Sequence, residues 1–228
     1  MIRFVFLDLD DTILDFLKAE ATALELTLRR VGIVPTEELI KRYSAINDAH
    51  WKRLEKGELT RSEVKRGRFE CFFEELGVKV DLADTCSFYE DRISKSHFFI
   101  PGAQQLLTDL YGAYRLFIVS NGSKSAQTGR ISAADIGRFF EGIFLSEEIG
   151  VDKPSIEFFN RCFAKIERFD PAEAIILGDS LTSDILGGIH AGIKTCWFNY
   201  RKRAHNPEIV PDYEIGDLSE FVPLLKSL

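Results

Sequence analysis

Apolar and polar positions alternate in two different rhythms along the chain. Ile2 to Leu7 is a continuous apolar run of strand length, cut off by the polar burst Asp8-Leu9-Asp10-Asp11-Thr12. From Asp15 onward the spacing becomes helical. Leu17, Ala21, Leu24, Leu28 and Val31 form one stripe, closed by Gly32. Leu39, Tyr43, Ile46, His50 and Leu54 form a second. Thr60 and Glu63 stand three apart as a capping box ahead of Phe69, Phe72, Phe73 and Leu76, with Gly77 as the stop. Leu82, Tyr89 and Ile93 predict a fourth helix.

After Pro101-Gly102 the rhythm changes again. Helical segments alternate with the short apolar runs Leu116–Val119, Ile143–Leu145, Ile175–Leu177 and Thr195–Phe198. Strands that alternate with helices predict right-handed crossovers and a parallel sheet covered on both faces. The first strand ends in charged residues as the later ones do, which places it in the same sheet. The expected fold is therefore α/β, a Rossmann-like parallel sheet core with an inserted all-helical cap domain. Its expected boundaries are 1–14 and 99–228 for the core and 15–98 for the cap. The stretch from Arg201 to Pro211 reads as polar loop.

Composition narrows the functional classes. The 228 residues carry a net charge of −7, with 45% hydrophobic and 29% charged residues, the profile of an ordinary globular protein. A negative chain without a long Lys/Arg run argues against a nucleic-acid coat, and no stretch has the length and apolarity of a membrane span. Asp8 and Asp10 interrupt the N-terminal apolar run, which is not the pattern of a signal peptide. Cys71, Cys86, Cys162 and Cys196 form no Cys-x-x-Cys pair, so free thiols in a reducing cytoplasm are expected. A monomer or weak homodimer is expected.

In open parallel sheets, ligands bind beyond the carboxyl ends of the strands. Asp8-Leu9-Asp10 follows the first strand and Ser120-Asn121-Gly122 the second. Ser146-Glu147-Glu148 follows the third, with Lys153-Pro154 just beyond, and Gly178-Asp179-Ser180 follows the fourth, with Asp184 five residues past Asp179. Each piece has an ordinary structural reading as a turn, a helix start or a capping acid. Together they bring carboxylates, a lysine, a hydroxyl and free backbone N–H groups to one rim. That inventory suits phosphoryl transfer, in which Mg²⁺ on hard oxygen ligands offsets the repulsion between a phosphate dianion and a carboxylate nucleophile.

These four segments resemble, in order, the motifs of the haloacid dehalogenase-like hydrolases, and the helical insertion matches that family's cap. The resemblance implies Asp8 as the nucleophile forming an aspartyl-phosphate and Asp10 as the general acid and base. Ser120 and the Asn121 backbone N–H would hold phosphate oxygens, and Lys153 would neutralise nucleophile and phosphate. Asp8, the Asp10 carbonyl and Asp179 would bind Mg²⁺, and Asp184 would support the metal site or orient Lys153. An aspartate at position 10 points to phosphate esters, because the dehalogenases themselves lack an acid there. Asp11 reads as a turn residue.

Several further stretches resemble the bacterial house-cleaning pyrimidine 5′-nucleotidases. They include His50-Trp51, Gly67-Arg68-Phe69-Glu70, Ser146 to Val151 and Ser183 to Gly188. The implied substrates are UMP, dUMP, dTMP and noncanonical pyrimidine analogues. A pyrimidine ring is expected to stack on an aromatic such as Trp51 or Phe16, with Asn47 or His50 bonding base edges. Most of the nineteen Phe must be core. The residues leave open another small-molecule phosphatase, acting on phosphoglycolate or sugar phosphates, and a non-catalytic binding protein that kept the fold.

Overall fold

The computed structural model describes residues 1–228, which divide into two compact units. Unit 1 comprises Met1–Asp15, Phe98–Lys124 and Ala134–Leu228; unit 2 comprises Phe16–His97 and Ser125–Ala133. In chain order the elements are β1 (Phe4–Leu7), α1 (Phe16–Arg30), α2 (Glu37–Glu55), α3 (Arg61–Glu75), α4 (Leu82–Ser94), α5 (Ala103–Leu110), β2 (Arg115–Ser120), α6 (Lys124–Ala133) and β3 (Gly142–Leu145). They continue with α7 (Ser146–Ile149), α8 (Ile156–Phe163), β4 (Ala174–Gly178), α9 (Leu186–His190), β5 (Lys194–Phe198), β6 (Tyr213–Ile215) and α10 (Phe221–Lys226).

Unit 1 is built on one six-stranded sheet in the order β3-β2-β1-β4-β5-β6, every neighbouring pair parallel. The expected α/β core is thus present, with a short sixth strand that the apolar pattern does not announce. Three residues with one charged member, Tyr213-Glu214-Ile215, carry too little periodicity to stand out. All four β1 residues are buried, as a central strand covered on both faces requires. Period-two alternation puts Phe4, Phe6, Phe117, Val119 and Ile176 on one face, where Phe158, Phe159 and Cys162 of α8 cover them. Offset ring stacking fills this layer, with Phe6 and Phe117 centroids 5.2 Å apart and Phe117 and Phe144 5.9 Å apart. The four cysteines are free thiols, and burial pushes Cys162 up to about 12.

Unit 2 is helical, and local chemistry sets its ends. Thr36 and Asp81 cap α2 and α4, and Thr60 with Glu63 forms the expected capping box on α3. Gly32 and Gly77 end α1 and α3 at φ of 79° and 66°, a left-handed turn that L side chains resist. Tyr43, Phe69 and Tyr89 form the centre of the unit, with centroid separations of 5.0 Å for Tyr43–Phe69 and 5.1 Å for Phe69–Tyr89.

The buried face of α1 is rotated from the apolar stripe. Ala19, Glu20, Ala23, Leu24, Thr27 and Leu28 are inside, whereas Leu17, Ala21 and Val31 are half-buried. Glu20 faces inward because it has a partner: Asn47 Nδ2 donates to Glu20 Oε1 at 2.7 Å. Asn47 Oδ1 in turn accepts from Arg68 Nη1 at 2.9 Å, and Arg68 Nη2 donates to Glu90 Oε1 at 2.8 Å. This polar chain links α1, α2, α3 and α4 through the interior.

The observed division differs from the boundaries read off the sequence: Asp15 and Phe98 fall in the first unit, and Ser125–Ala133 of α6 groups with the helical unit. Gly129 explains the close packing, since a Cβ there would lie 2.6 Å from the Ser94 carbonyl oxygen. One turn on, the buried Arg130 directs Nε toward the Ser96 carbonyl at 3.4 Å and places its guanidinium over Phe16, 5.6 Å from the ring centroid.

Candidate active site

The site assembles at the carboxyl ends of β1, β2 and β4. Asp8 directly follows β1, and its N–H continues the ladder by donating to the Leu177 carbonyl at 2.9 Å. The chain then turns sharply. Ile13 and Leu14 N–H both reach the Leu9 carbonyl, and Asp11 adopts φ of 57°, so Asp11 is the turn residue expected. Asp10 is half-buried on this loop, and Thr12 Oγ1 lies 3.5 Å from Asp8 Oδ2.

Lys153 is the hub. Its ammonium is 1% exposed and donates to Asp8 Oδ1 at 2.7 Å, Asp184 Oδ1 at 2.6 Å and the Val119 carbonyl at 2.8 Å. All three N–H groups of the ammonium are therefore used, the arrangement a buried lysine requires. Asn121 fixes its backbone with both ends of one amide: Asn121 Nδ2 donates to the Lys153 carbonyl and Asn121 Oδ1 accepts from the Lys153 N–H, each at 2.9 Å. This use of the Asn121 side chain was not evident in the Ser-Asn-Gly turn signal. Ser120 is buried at the end of β2, its hydroxyl accepting from the Gly122 N–H at 3.1 Å.

Asp179 and Asp184 come from the end of β4. Leu181–Ile185 forms one wide π-type turn, a local irregularity common where side chains must be re-aimed. Ser180 N–H donates to Asp184 Oδ2 at 3.1 Å and locks the carboxylate in place. Gly178 makes room for it, because a Cβ at that position would stand 2.3 Å from Asp184 Cγ. Trp197 Nε1 holds the Asp179 carbonyl at 2.9 Å.

The carboxylates of Asp8, Asp179 and Asp184 offer oxygens that lie within 4.8 Å of one another. Burial, followed by the neighbouring charges of Asp184, Asp10 and Asp179, raises the Asp8 carboxyl well above its ordinary range, against the pull of Lys153. Burial and Asp11 push Asp179 up to about 8, against Arg203. Burial would lower the Lys153 ammonium, but Asp184 and Asp8 outweigh it and raise its pKa. The cluster is thus short of positive charge, and its donors are all hard oxygens. That combination fits a divalent cation such as Mg²⁺. The converging carboxylates include Asp184, expected only in a supporting role, whereas the Asp10 side chain is not one of the three.

Two arginines beyond the end of β5 also reach this cluster. Arg203 Nη1 lies 2.9 Å from Asp179 Oδ2, and Arg201 Nη2 lies 3.1 Å from Asp11 Oδ1 and 3.9 Å from Asp15 Oδ1. Both follow β5. Applying the strand-end rule to the fifth strand as well as the first four would have found them. Of the residues considered for base recognition, Asn47 has both amide atoms engaged within unit 2, and His50 Nδ1 lies 2.8 Å from the Ile46 carbonyl of its own helix.

The family model described as haloacid dehalogenase-like hydrolase matches residues 5–198. The HAD-hydrolase YfnB of Bacillus subtilis is 40% identical over 98% of this chain and 95% of its own. A crystal structure of YfnB bound to magnesium superposes with a TM-score of 0.93 at 39% identity, covering 98% of each chain. Two pyrimidine 5′-nucleotidases are also similar over nearly full length. PynA of Streptococcus pneumoniae is 31% identical over 98% of this chain and 94% of its own, and YjjG of Escherichia coli is 29% identical over 97% and 96%. No helix is long and apolar enough to cross a membrane. On the span of the family match and the identity to YfnB, the chain belongs to the haloacid dehalogenase-like hydrolases.

Proposed function

We propose that the protein is a Mg²⁺-dependent phosphatase that hydrolyses pyrimidine nucleoside 5′-monophosphates, UMP, dUMP, dTMP and noncanonical analogues, through an aspartyl-phosphate on Asp8. The observation that carries the chemistry is Lys153, whose ammonium lies 2.7 Å from Asp8 and 2.6 Å from Asp184 at the carboxyl rim of the sheet. The substrate class rests on the similarity to PynA and YjjG.

Asp8, Asp179 and Asp184 would hold Mg²⁺, together with the Asp10 backbone carbonyl. The ion supplies charge neutralisation that lets a carboxylate approach a phosphate dianion. An Asp8 oxygen attacks phosphorus; the new O–P bond forms as the bond to the nucleoside 5′-oxygen breaks. Asp10 gives its proton to that departing oxygen. Asp10, now ionised, takes a proton from water as the water oxygen attacks the aspartyl-phosphate. The Asp8 carboxylate and inorganic phosphate are released, and Asp10 is protonated again. Ser120 and the Asn121 N–H hold phosphate oxygens, and Lys153 offsets charge on Asp8 and the phosphoryl group.

The test is phosphate release from a panel of nucleoside monophosphates and small phosphate esters, with Mg²⁺ and with EDTA. Metal-dependent turnover concentrated on UMP, dUMP and dTMP is expected. Turnover confined to sugar phosphates or phosphoglycolate would retain the mechanism and discard the substrate. No release from any ester would favour a non-catalytic binding role.

A further inference from the structure

We propose that Arg203 is a resident counter-cation for Asp179, which competes with the divalent ion for that carboxylate and so sets how tightly the ion binds. The inference rests on the metal reading above. It begins from how the positive charges are shared out. The Lys153 ammonium is spent on Asp8, Asp184 and the Val119 carbonyl. Asp179 instead meets Arg203, with Nη1 2.9 Å from Oδ2.

The loop after β5 is built to make that meeting. Asn199 N–H extends the ladder to the Ile215 carbonyl at 2.9 Å, which anchors the start of the loop on β6. The Asn199 side chain then closes the turn on itself. Its Oδ1 accepts from the Arg203 N–H at 2.7 Å, and its Nδ2 donates to the Arg203 carbonyl at 3.1 Å and to Glu214 Oε1 at 2.8 Å. Lys202, between them, takes φ of 52° and donates its N–H to the Asn199 carbonyl at 3.0 Å. A left-handed lysine on the surface is an unfavourable conformation, held here by the Asn199 bonds on either side. The opposite partner is held from the same strand, through Trp197 Nε1 on the Asp179 carbonyl at 2.9 Å. β5 thus positions both members of the pair.

The charge arrangement gives the pair its consequence. Asp179 is one of three carboxylates whose oxygens converge within 4.8 Å. A cation already touching it lowers the negative potential that a divalent ion would experience there. The Arg203 side chain is 47% exposed, so it can swing into water when displaced, whereas the Lys153 side chain, at 1%, cannot. Arg203 is therefore a positioning residue acting through Asp179, and its effect is on ion affinity.

The experiment is a Mg²⁺ titration of the full chain, followed by calorimetry and by Tm, for wild type, Arg203→Gln, Arg203→Lys and Asn199→Ala. For a half-exposed ion pair, Arg203→Gln is expected to tighten Mg²⁺ about 2- to 5-fold and to enlarge the Mg²⁺-induced rise in Tm. Arg203→Lys keeps the charge and should stay close to wild type. Asn199→Ala frees the loop and should shift affinity in the same direction as Arg203→Gln. A merely structural arginine would lower Tm equally with and without Mg²⁺ and leave affinity unmoved. Wild type that binds Mg²⁺ while Arg203→Gln binds it equally or more weakly overturns this inference alone. Wild type that binds no Mg²⁺ removes the metal reading and the inference together. If Arg203→Gln does not fold, Asn199→Ala decides: tighter Mg²⁺ binding supports the inference, and unchanged or weaker binding overturns it.

Discussion

Lys153 Nζ and Asp184 Oδ1 stand 2.6 Å apart, with both side chains 1% exposed. Water does not reach this pair, so breaking it leaves a buried charge uncompensated. Lys153→Met removes the only ammonium touching Asp8 and Asp184 and strands both carboxylates. The expected outcome is a loss of about 3–5 kcal/mol in urea unfolding of the metal-free chain, together with loss of phosphatase turnover. Unchanged stability would mean that Lys153 is not what balances the acidic cluster.

Asp8 and Asp10 should separate fold from chemistry. Burial and the surrounding carboxylates already push Asp8 toward its neutral form, so Asp8→Asn relieves crowding while preserving volume. Its metal-free Tm should be no lower than wild type, whereas kcat should fall about 10⁴-fold or more if Asp8 is the nucleophile, as proposed. Under the proposed mechanism, Asp10→Asn keeps the nucleophile and removes the proton donor, with an expected loss of about 10²- to 10⁴-fold. Near-normal turnover by Asp8→Asn would overturn the nucleophile assignment.

A glycine tests how Asp184 is held. At Gly178 a Cβ would lie 2.3 Å from both Asp184 Cγ and Asp184 Oδ2. Neither atom has room to retreat, since Lys153 and the Ser180 N–H hold the carboxylate from other sides. Gly178→Ala should therefore cost about 1–3 kcal/mol and reduce turnover about 10²-fold through displacement of Asp184. Wild-type Tm and activity in this variant would show that the Asp184 position is not critical.

These positions show why some of the site was legible in the sequence and some was not. Strand runs followed by polar bursts are local signals, so Asp8, Ser120, Lys153, Asp179 and Asp184 could be put at one rim from the pattern alone. The same logic gave the parallel sheet and the helical insertion. What stayed hidden depends on long-range pairing. Glu20 reads as a solvent-facing acid until Asn47, twenty-seven residues on, meets it in the interior. Arg203 reads as polar loop until the Asn199 turn aims it at Asp179. The α6 boundary depended on the missing side chain of Gly129, which periodicity registers only as a weak helix residue.

The interior chain Glu20–Asn47–Arg68–Glu90 yields a prediction for the helical unit taken alone. Arg68 is 1% exposed and also lies over the Tyr89 ring, with its guanidinium carbon 4.8 Å from the centroid. Removing it strips Asn47 Oδ1 of its donor and Glu90 of a buried partner, although Lys65 Nζ remains 3.4 Å from Glu90. Arg68→Met should therefore destabilise the chain by about 3 kcal/mol, the lower end for a broken buried pair. Asn47→Leu removes the middle of the same chain and leaves Glu20 without its amide donor. Because the two residues share one hydrogen bond, their effects should not add. The double variant should be less destabilised than the sum of the singles by about 1 kcal/mol or more in urea unfolding. Strict additivity would show that the four side chains act as separate contacts, and that Glu20 is tolerated inside for some reason other than this network.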